Sequence, residues 1–186
     1  MSAPRLVGLA GSFSRPSKTY SLVGEIAGLA SGRYGFSSKL YDLHDLGPSL
    51  GGAQWRKQLD DQAKQVIEDI VSSDLLVVGS PTYKGSYAGM FKHLIDLIEP
   101  EELRGKPIII AATGGGDRHA LVVEHQLRPL FGFFMAQTLP TAVYASDRDF
   151  ADYKVSSDAL SARIGEVIKE LATFFPLKDR GLAAAE

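Results

Sequence analysis

The feature that most constrains the fold of this 186-residue chain is a short apolar run that recurs three times. Each run, at residues 6–10, 75–79 and 107–112, leads into a turn rich in glycine, serine or threonine, at 11–19, 80–86 and 113–116. Apolar runs of this length, ending in loops that lead into helical patterns, are typical of buried parallel strands. In a doubly wound sheet such loops emerge at the carboxyl edge, where ligands bind. We therefore expect the three turns to meet around one ligand, and their hydroxyl groups favour a phosphorylated one.

Strand and helix patterns alternate along the whole chain. Strands are predicted at 5–10, 36–43, 75–79, 108–112 and 141–144, and helices at 17–30, 54–72, 88–98, 117–135 and 157–175. Residues 47–52 form a turn cluster, and Pro129 is predicted to kink or split its helix. The order predicts one α/β domain over 1–186, a doubly wound five-stranded parallel sheet with helices on both faces. Residues 177–186 are expected to be a flexible tail.

The composition argues against several classes of function. Net charge is −2, from 20 basic and 22 acidic residues, which gives no reason to expect nucleic acid or an anionic membrane as a partner. The absence of cysteine excludes disulfides, thiolate catalysis and cysteine-ligated metals, and it fits a cytoplasmic location. No cationic-then-apolar leader precedes the first strand, and no apolar run approaches the roughly 18 residues that a membrane span needs.

The first turn has the chemistry of an anion site. Backbone amides at a helix N-terminus point toward a bound anion, and small hydroxyl side chains and a cation can assist them. The candidates are Ser12, Ser14, Ser17, Lys18 and Thr19. Alternatively, Ser17 only caps the helix and the other hydroxyls face water. The P-loop motif and the dinucleotide-binding glycine motif are both missing.

The second and third turns could hold a flat heterocycle. The second combines a stiff entry, an aromatic ring, a cation and a glycine in Pro81, Thr82, Tyr83, Lys84, Gly85 and Ser86. A surface loop with edge-packed tyrosines is the alternative. The third turn is Thr113, Gly114, Gly115 and Gly116. Three glycines directly after a buried strand cost chain entropy, so close approach by a ligand is the favoured explanation.

No catalytic side-chain cluster or metal site is predicted. His93, His119 and His125 lie on predicted helices without the spacing that a metal requires. Ser12 lies at a strand-to-helix turn but lacks the G-x-S-x-G elbow. We therefore expect no metal and no side-chain nucleophile.

Four stretches resemble the flavodoxin-like NADPH-dependent FMN reductases, most closely the reductase components of bacterial two-component alkanesulfonate or methanesulfonate monooxygenases. They are LAGS with Pro16 and Ser17, PTYKGSYAG at 81–89, LIDLI at 94–98, and ATGG at 112–115 with His119 and LRP at 127–129. The resemblance implies a flavodoxin-like fold with the FMN phosphate in the first turn. It further implies that 81–86 line the ribityl chain and one ring edge, and that 113–116 flank the other side near His119.

Two positions depart from the family pattern. The resemblance implies a π-bulge at an oligomer interface in the helix after the third turn, and the matching residue is His125 where a related type carries tyrosine. This leaves open both the bulge and its stacking role. The family places an arginine soon after Gly-Ser, whereas here Ser14 holds that place and Arg15 follows. The role of Arg15 is therefore also open.

The resemblance implies an enzyme that passes a hydride from NADPH or NADH to flavin N5 and supplies reduced FMN to a partner monooxygenase. The flavin carries that redox chemistry, so no catalytic side chain is required, and His119 and His125 are candidate modulators. A same-class alternative is an NAD(P)H quinone, azo or chromate reductase that retains FMN. Other classes are a non-enzymatic flavodoxin carrier, which the net charge of −2 disfavours, and a flavin-free regulator. The family also implies a homodimer or homotetramer, and Phe131, Phe133 and Phe134 belong either to that interface or to the core.

Overall fold

The computed structural model describes residues 3–175, so the tail predicted at 177–186 lies outside the described residues. Its main sheet has the order β2-β1-β3-β5, followed by two short strands that both lie beside β5. The strands are β1 (Arg5–Ala10), β2 (Ser37–Asp42), β3 (Leu75–Tyr83), β4 (Ser86–Tyr87), β5 (Pro107–Gly114), β6 (Gln137–Thr138) and β7 (Val143–Ser146). All pair in parallel except β4, which is antiparallel to β3. The predicted parallel α/β fold is confirmed.

The fifth position of the sheet is a divided strand, whereas a single strand at 141–144 was predicted. The amide of Leu139 still donates to the carbonyl of Ile108 in β5 at 3.0 Å, and the ladder is interrupted at Pro140, which has no amide hydrogen to donate. The guanidinium group of Arg128 donates to the carbonyl oxygens of Leu139 at 2.9 Å and Pro140 at 3.1 Å. The carbonyl groups at the break are therefore paired with a side chain.

Six α-helices and a small hairpin complete the described chain. The helices are α1 (Lys18–Tyr34), α2 (Ser49–Gly52), α3 (Asp61–Ser72), α4 (Gly89–Ile95), α5 (Arg128–Phe133) and α6 (Asp158–Glu170). The hairpin joins β8 (Phe150–Ala151) to β9 (Lys154–Val155). Short 3₁₀ turns lie at Leu43–Leu46, Arg56–Gln58, Pro100–Leu103, Asp117–His119, Asp147–Asp149 and Leu171–Thr173.

Capping residues explain where two helices differ from the prediction. The first continues a turn beyond residue 30 and ends where Gly35 takes a left-handed φ of 78°. The helix predicted at 54–72 begins only at Asp61, because the side chain of Asp60 accepts from the amide of Ala63 and caps it there.

The segment predicted as one helix at 117–135 has three parts. A 3₁₀ turn at Asp117–His119 and a π-helix at Val123–Leu127 precede α5. The π-helix runs directly into α5, because Leu127 and Arg128 are both helical and the amide of Arg128 donates to the carbonyl of Val123. The split predicted at Pro129 is therefore absent, and the helix instead changes from π to α one residue before the proline. The turn cluster predicted at 47–52 was wrong in part, because it contains α2.

Two hydrophobic cores lie on opposite faces of the sheet. Leu76 and Val78 of β3 belong to the core that also contains residues of α3, α4 and α5. Leu75 and Val77 of the same strand belong to the other, with residues of α1 and α6. The central strands are therefore buried on both faces, and their carboxyl ends remain as the place where polar turns gather. Within residues 3–175, no helix is both long and apolar enough to cross a membrane.

Candidate functional site

The strand register brings the three predicted turns to one edge of the sheet. Ala10 pairs with Gly79, Pro81 with Thr113, and Gly114 with Ser146. The last two predicted turns are partly strand, because β3 continues to Tyr83 and β5 to Gly114. The backbone of these residues is consequently held by ladder hydrogen bonds.

The first turn places its hydroxyl groups around the N-terminus of α1. Ser17 is the N-cap, and its hydroxyl accepts from the amide of Tyr20 at 3.2 Å. Ser12 is buried and accepts from the amide of Ser14 at 3.1 Å. The capping role of Ser17 is therefore confirmed, and the amides of Lys18 and Thr19, in the first helical turn, have no acceptor within the helix.

Thr19 and Lys18 each contact another part of the edge. The hydroxyl of Thr19 is buried and hydrogen-bonded to that of Thr113 at 2.6 Å, which joins the first turn to the third. The ammonium group of Lys18 lies 2.8 Å from a carboxylate oxygen of Asp147. Neither of these partners was predicted from the sequence.

Arg15 points away from the first turn and toward β2. Its guanidinium group donates to both carboxylate oxygens of Asp42, at 2.6 and 2.7 Å, and to Asp45 at 3.1 Å. Burial alone would raise the pKa of Asp42, but Arg15 and the amide of His44 hold this pKa below its ordinary value. Arg15 therefore connects the first turn to the end of β2. This is a structural role for the arginine whose role the sequence left open.

The second turn is a tight hairpin between β3 and β4. Its two central residues both have positive φ, 54° at Lys84 and 85° at Gly85, as a type I′ turn requires. The hydroxyl of Thr82 is buried and has no hydrogen-bond partner among the described residues. Ser86 donates to the side-chain oxygen of Gln126 at 2.9 Å. This hairpin therefore presents an unpaired hydroxyl group beside the third turn.

In the third turn, a neighbouring tyrosine side chain requires glycine at position 114. A Cβ atom on Gly114 would overlap the hydroxyl oxygen of Tyr144, which donates to the carbonyl of Gly116 at 2.6 Å. The expectation that ligand approach explains all three glycines is thus corrected at Gly114. Within the described chain no atom lies within 4 Å of a Cβ built on Gly116. Gly116 therefore leaves room at the edge, and a Cβ on Gly115 would reach only the Asp147 carboxylate, at 4.0 Å.

A fourth turn at the same edge was missed. The 3₁₀ turn Asp147–Asp149 follows β7, and a 2.7 Å ion pair joins Arg148 to Asp117 beside the third turn. Burial, followed by the charges of Asp117 and Asp147, raises the pKa of Tyr144. The turn carries charged residues and no glycine, so a search for turns rich in glycine, serine or threonine did not identify it. Its position two residues beyond the strand predicted at 141–144 was the available signal.

The two histidines take different positions. His119 is half-buried at the end of the 3₁₀ turn beside the third turn. His125 is exposed and lies within the π-helix Val123–Leu127, so the bulge that was left open is present in this chain. Gln126, the next residue, accepts the hydrogen bond from Ser86. The π-helix is therefore in direct contact with the second turn.

The donor set of this edge fits flavin mononucleotide. A helix N-terminus with hydroxyls and Lys18 suits a phosphate dianion. The buried hydroxyl of Thr82 has no hydrogen-bond partner among the described residues, so it suits a polar atom of a ligand. The space beside Gly115 and Gly116 allows a flat ring to approach the backbone. A doubly wound sheet with a ligand-binding edge of this kind defines the flavodoxin-like class of proteins. Residues 4–151 match the family model described as NADPH-dependent FMN reductase. The chain belongs to this family of nicotinamide-dependent flavin reductases.

Individual relatives agree with this assignment. The chain is 45% identical over 176 residues to the NADH-dependent FMN reductase SfnF of Pseudomonas fluorescens, with 94% of each chain covered. It is 43% identical to an FMN reductase (NADPH) of Pseudomonas aeruginosa, covering 94% of this chain and 95% of the relative. In fold it is similar to the apo form of the NADH:FMN oxidoreductase EMOB, with a TM-score of 0.81 at 23% identity over 96% of this chain and 92% of that one.

Proposed function

We propose that this protein reduces FMN with NADPH or NADH and releases the reduced flavin to a partner monooxygenase, in the desulfonation of organic sulfonates. Family membership supports the reductase step, and the four stretches that resemble sulfonate-linked reductases support the partner. We place the enzyme in the cytoplasm, as the absence of cysteine favours. When bound, the flavin supplies the redox chemistry, accepting two electrons as hydride from the nicotinamide.

The residues of the edge bind and orient in this proposal. The amides of Lys18 and Thr19, with Ser12, Ser14 and Ser17, hold the phosphate. Residues Pro81, Thr82, Tyr83, Lys84, Gly85 and Ser86 lie along the ribityl chain and one ring edge, and Thr113, Gly114, Gly115 and Gly116 flank the other. Tyr83 is 54% exposed and Lys84 lies at the hairpin tip, so both are accessible to a second ligand stacked on the ring. No proton donor is assigned to a side chain.

The observation that carries the proposal is the convergence of distant turns. The Thr19–Thr113 bond joins the first turn to the third, and the Pro81–Thr113 register joins the second to the third. A Cβ on Gly114 would lie 3.6 Å from that of Thr82. One ligand can therefore contact all three turns at once.

Two measurements test this function. Titration of the apo-protein with FMN, followed by quenching of flavin fluorescence, reports binding independently of turnover. Oxidation of NADPH and NADH at 340 nm, with and without free FMN, reports the reaction. We expect flavin-dependent oxidation and a Kd for FMN weak enough for release. Failure to bind FMN, or nicotinamide oxidation that needs no free flavin because FMN stays bound, would contradict the proposal.

We also propose a homo-oligomer whose interface includes the segment 121–135. Leu121 is 66% exposed and Phe133 is 68% exposed, and Met135 is also exposed. Phe131 and Phe134 are buried core residues, so only one of the three aromatics considered for an interface is available for it. We expect a dimer or tetramer by light scattering and a shift toward monomer in Phe133→Glu. An unchanged assembly in that variant would exclude this surface.

A further inference from the structure

We propose that Asp147 is a positioning residue that competes with the flavin phosphate for the ammonium group of Lys18, and so limits how tightly the flavin is retained. This inference rests on the proposed function, because it requires the FMN phosphate to bind in the first turn. It assigns a role to the fourth turn, which no sequence motif identified.

The geometry places a fixed carboxylate beside a cation of the phosphate site. Lys18 is the first residue of α1 and directly follows the cap Ser17. Its ammonium nitrogen lies 2.8 Å from Asp147 and 5.9 Å from the centre of the Phe150 ring. The side chain of Lys18 is 31% exposed and that of Asp147 is 62% exposed. The ammonium group is therefore turned toward the fourth turn, while its own backbone amide lies at the anion seat.

The shape of the fourth turn does not depend on Asp147. The side chain of Asp149 accepts from the amide of Ser146 at 2.7 Å and from its hydroxyl at 2.9 Å, which closes the turn. The ion pair of Arg148 with Asp117 then fastens the turn to the third one. The carboxylate of Asp147 is thus free to act as a counter-ion, since other residues keep the backbone in place.

The ion pair between Lys18 and Asp147 should weaken the binding of FMN. A phosphate dianion can accept from the Lys18 ammonium only by sharing that group with Asp147 or displacing it. Exposed ion pairs are weak, so the competition changes affinity by about two- to fivefold and does not abolish binding. An enzyme that hands on its flavin gains faster release from such a competitor. Removal of the Asp147 charge should therefore tighten FMN binding.

The decisive variant is Asp147→Asn, which keeps the shape of the side chain. We expect the Kd for FMN to fall about two- to fivefold, with slower flavin release in stopped-flow displacement. Binding of riboflavin, which has no phosphate, should not change. In a Lys18→Met background, Asp147→Asn should no longer affect FMN binding, because the shared cation is missing.

Asp152→Asn provides a matched control. It removes the same charge from the neighbouring hairpin, at an exposed position whose φ of 46° asparagine tolerates, and we expect unchanged FMN binding. Unchanged FMN affinity in Asp147→Asn would overturn the inference. An equal change for riboflavin and FMN, or an effect that persists in Lys18→Met, would overturn it as well. If the wild-type protein binds no FMN at all, the proposed function itself has failed.

Discussion

The hydroxyl groups of Thr19 and Thr113 lie 2.6 Å apart in the buried interior, although 94 residues separate them in sequence. One belongs to the first turn of α1 and the other to the last residues of β5. One hydroxyl donates and the other accepts, so each has a partner where water is excluded. Together with the ladder that joins β1, β3 and β5, this bond holds the predicted phosphate site beside the glycine-rich turn.

Thr19→Val should therefore destabilise the protein, because it keeps the side-chain shape but leaves the Thr113 hydroxyl without its partner. We expect a loss of about 1–2 kcal/mol in the free energy of unfolding, measured by urea denaturation. Thr113→Val should cost a similar amount. The double variant should cost clearly less than the sum, and strict additivity would argue against the bond.

Gly114→Ala should destabilise the protein by about 1–3 kcal/mol, because the new methyl group overlaps the Tyr144 hydroxyl. The change should lower the unfolding midpoint in the absence of any flavin. Gly116→Ala is the control for stability, since its φ of −175° suits any residue and its Cβ position is open. Adding Tyr144→Phe to Gly114→Ala should recover part of the loss. Equal midpoints for the two alanine variants would refute this explanation.

Asp42→Asn should make the protein less sensitive to acid. Burial opposes ionisation of the Asp42 side chain, 2% exposed, but Arg15 and the His44 amide outweigh it and lower its pKa. Ionised Asp42 therefore stabilises the fold above its unfolded pKa of about 3.9, and this contribution is lost as pH falls through the folded pKa. We expect Asp42→Asn to cost about 1–2 kcal/mol at pH 7 and progressively less below about pH 4.

Urea unfolding of both proteins across this pH range measures the difference. Arg15→Gln introduced into Asp42→Asn should change acid sensitivity less than it does in the wild type, because only the contact of Arg15 with Asp45 is left to lose. Parallel pH profiles for the wild type and Asp42→Asn would contradict the assignment.

Lys84→Asn should move stability and flavin affinity in opposite directions. A left-handed backbone is costly for lysine and better tolerated by asparagine, so the free energy of unfolding should rise by up to about 1 kcal/mol. The same change removes a cation from the proposed ring edge, so FMN binding should weaken. Gly85→Ala, at a φ of 85°, should instead destabilise by about 1 kcal/mol. If Lys84→Asn raised both stability and FMN affinity, or lowered both, the opposite effects predicted here would be disproved.

The elements that periodicity predicted well are those buried on both faces. The runs around Val77 and Ile109 are continuous and apolar, and they form the neighbouring strands β3 and β5 inside the sheet. Boundaries were less accurate where one side-chain hydrogen bond decides them, as Asp60 does for α3. A helical pattern also does not distinguish an α-helix from a π-helix, because the same apolar positions are buried by both.

The sequence predicted that three turns meet at one edge of the sheet, but it did not predict the bonds between them. The three turns could be recognised from their hydroxyl and glycine residues, because these residue types in a loop are typical of ligand binding. The partners Asp147, Tyr144 and Gln126 come from elements distant in sequence, and only the sheet order brings them near. No local sequence pattern predicts an ion pair such as that between Arg148 and Asp117, because the two residues are far apart in sequence.

The divided fifth strand has a consequence for behaviour in concentrated solution. An outermost strand usually offers a row of free amides and carbonyls on which another chain can grow. Here Pro140 has no amide hydrogen, Arg128 engages the carbonyls of Leu139 and Pro140, and the amide of Thr141 donates to Glu170. The segment between β6 and β7 therefore offers few free backbone groups to a second chain, and the outer edge that remains open to edge-to-edge aggregation is short and interrupted.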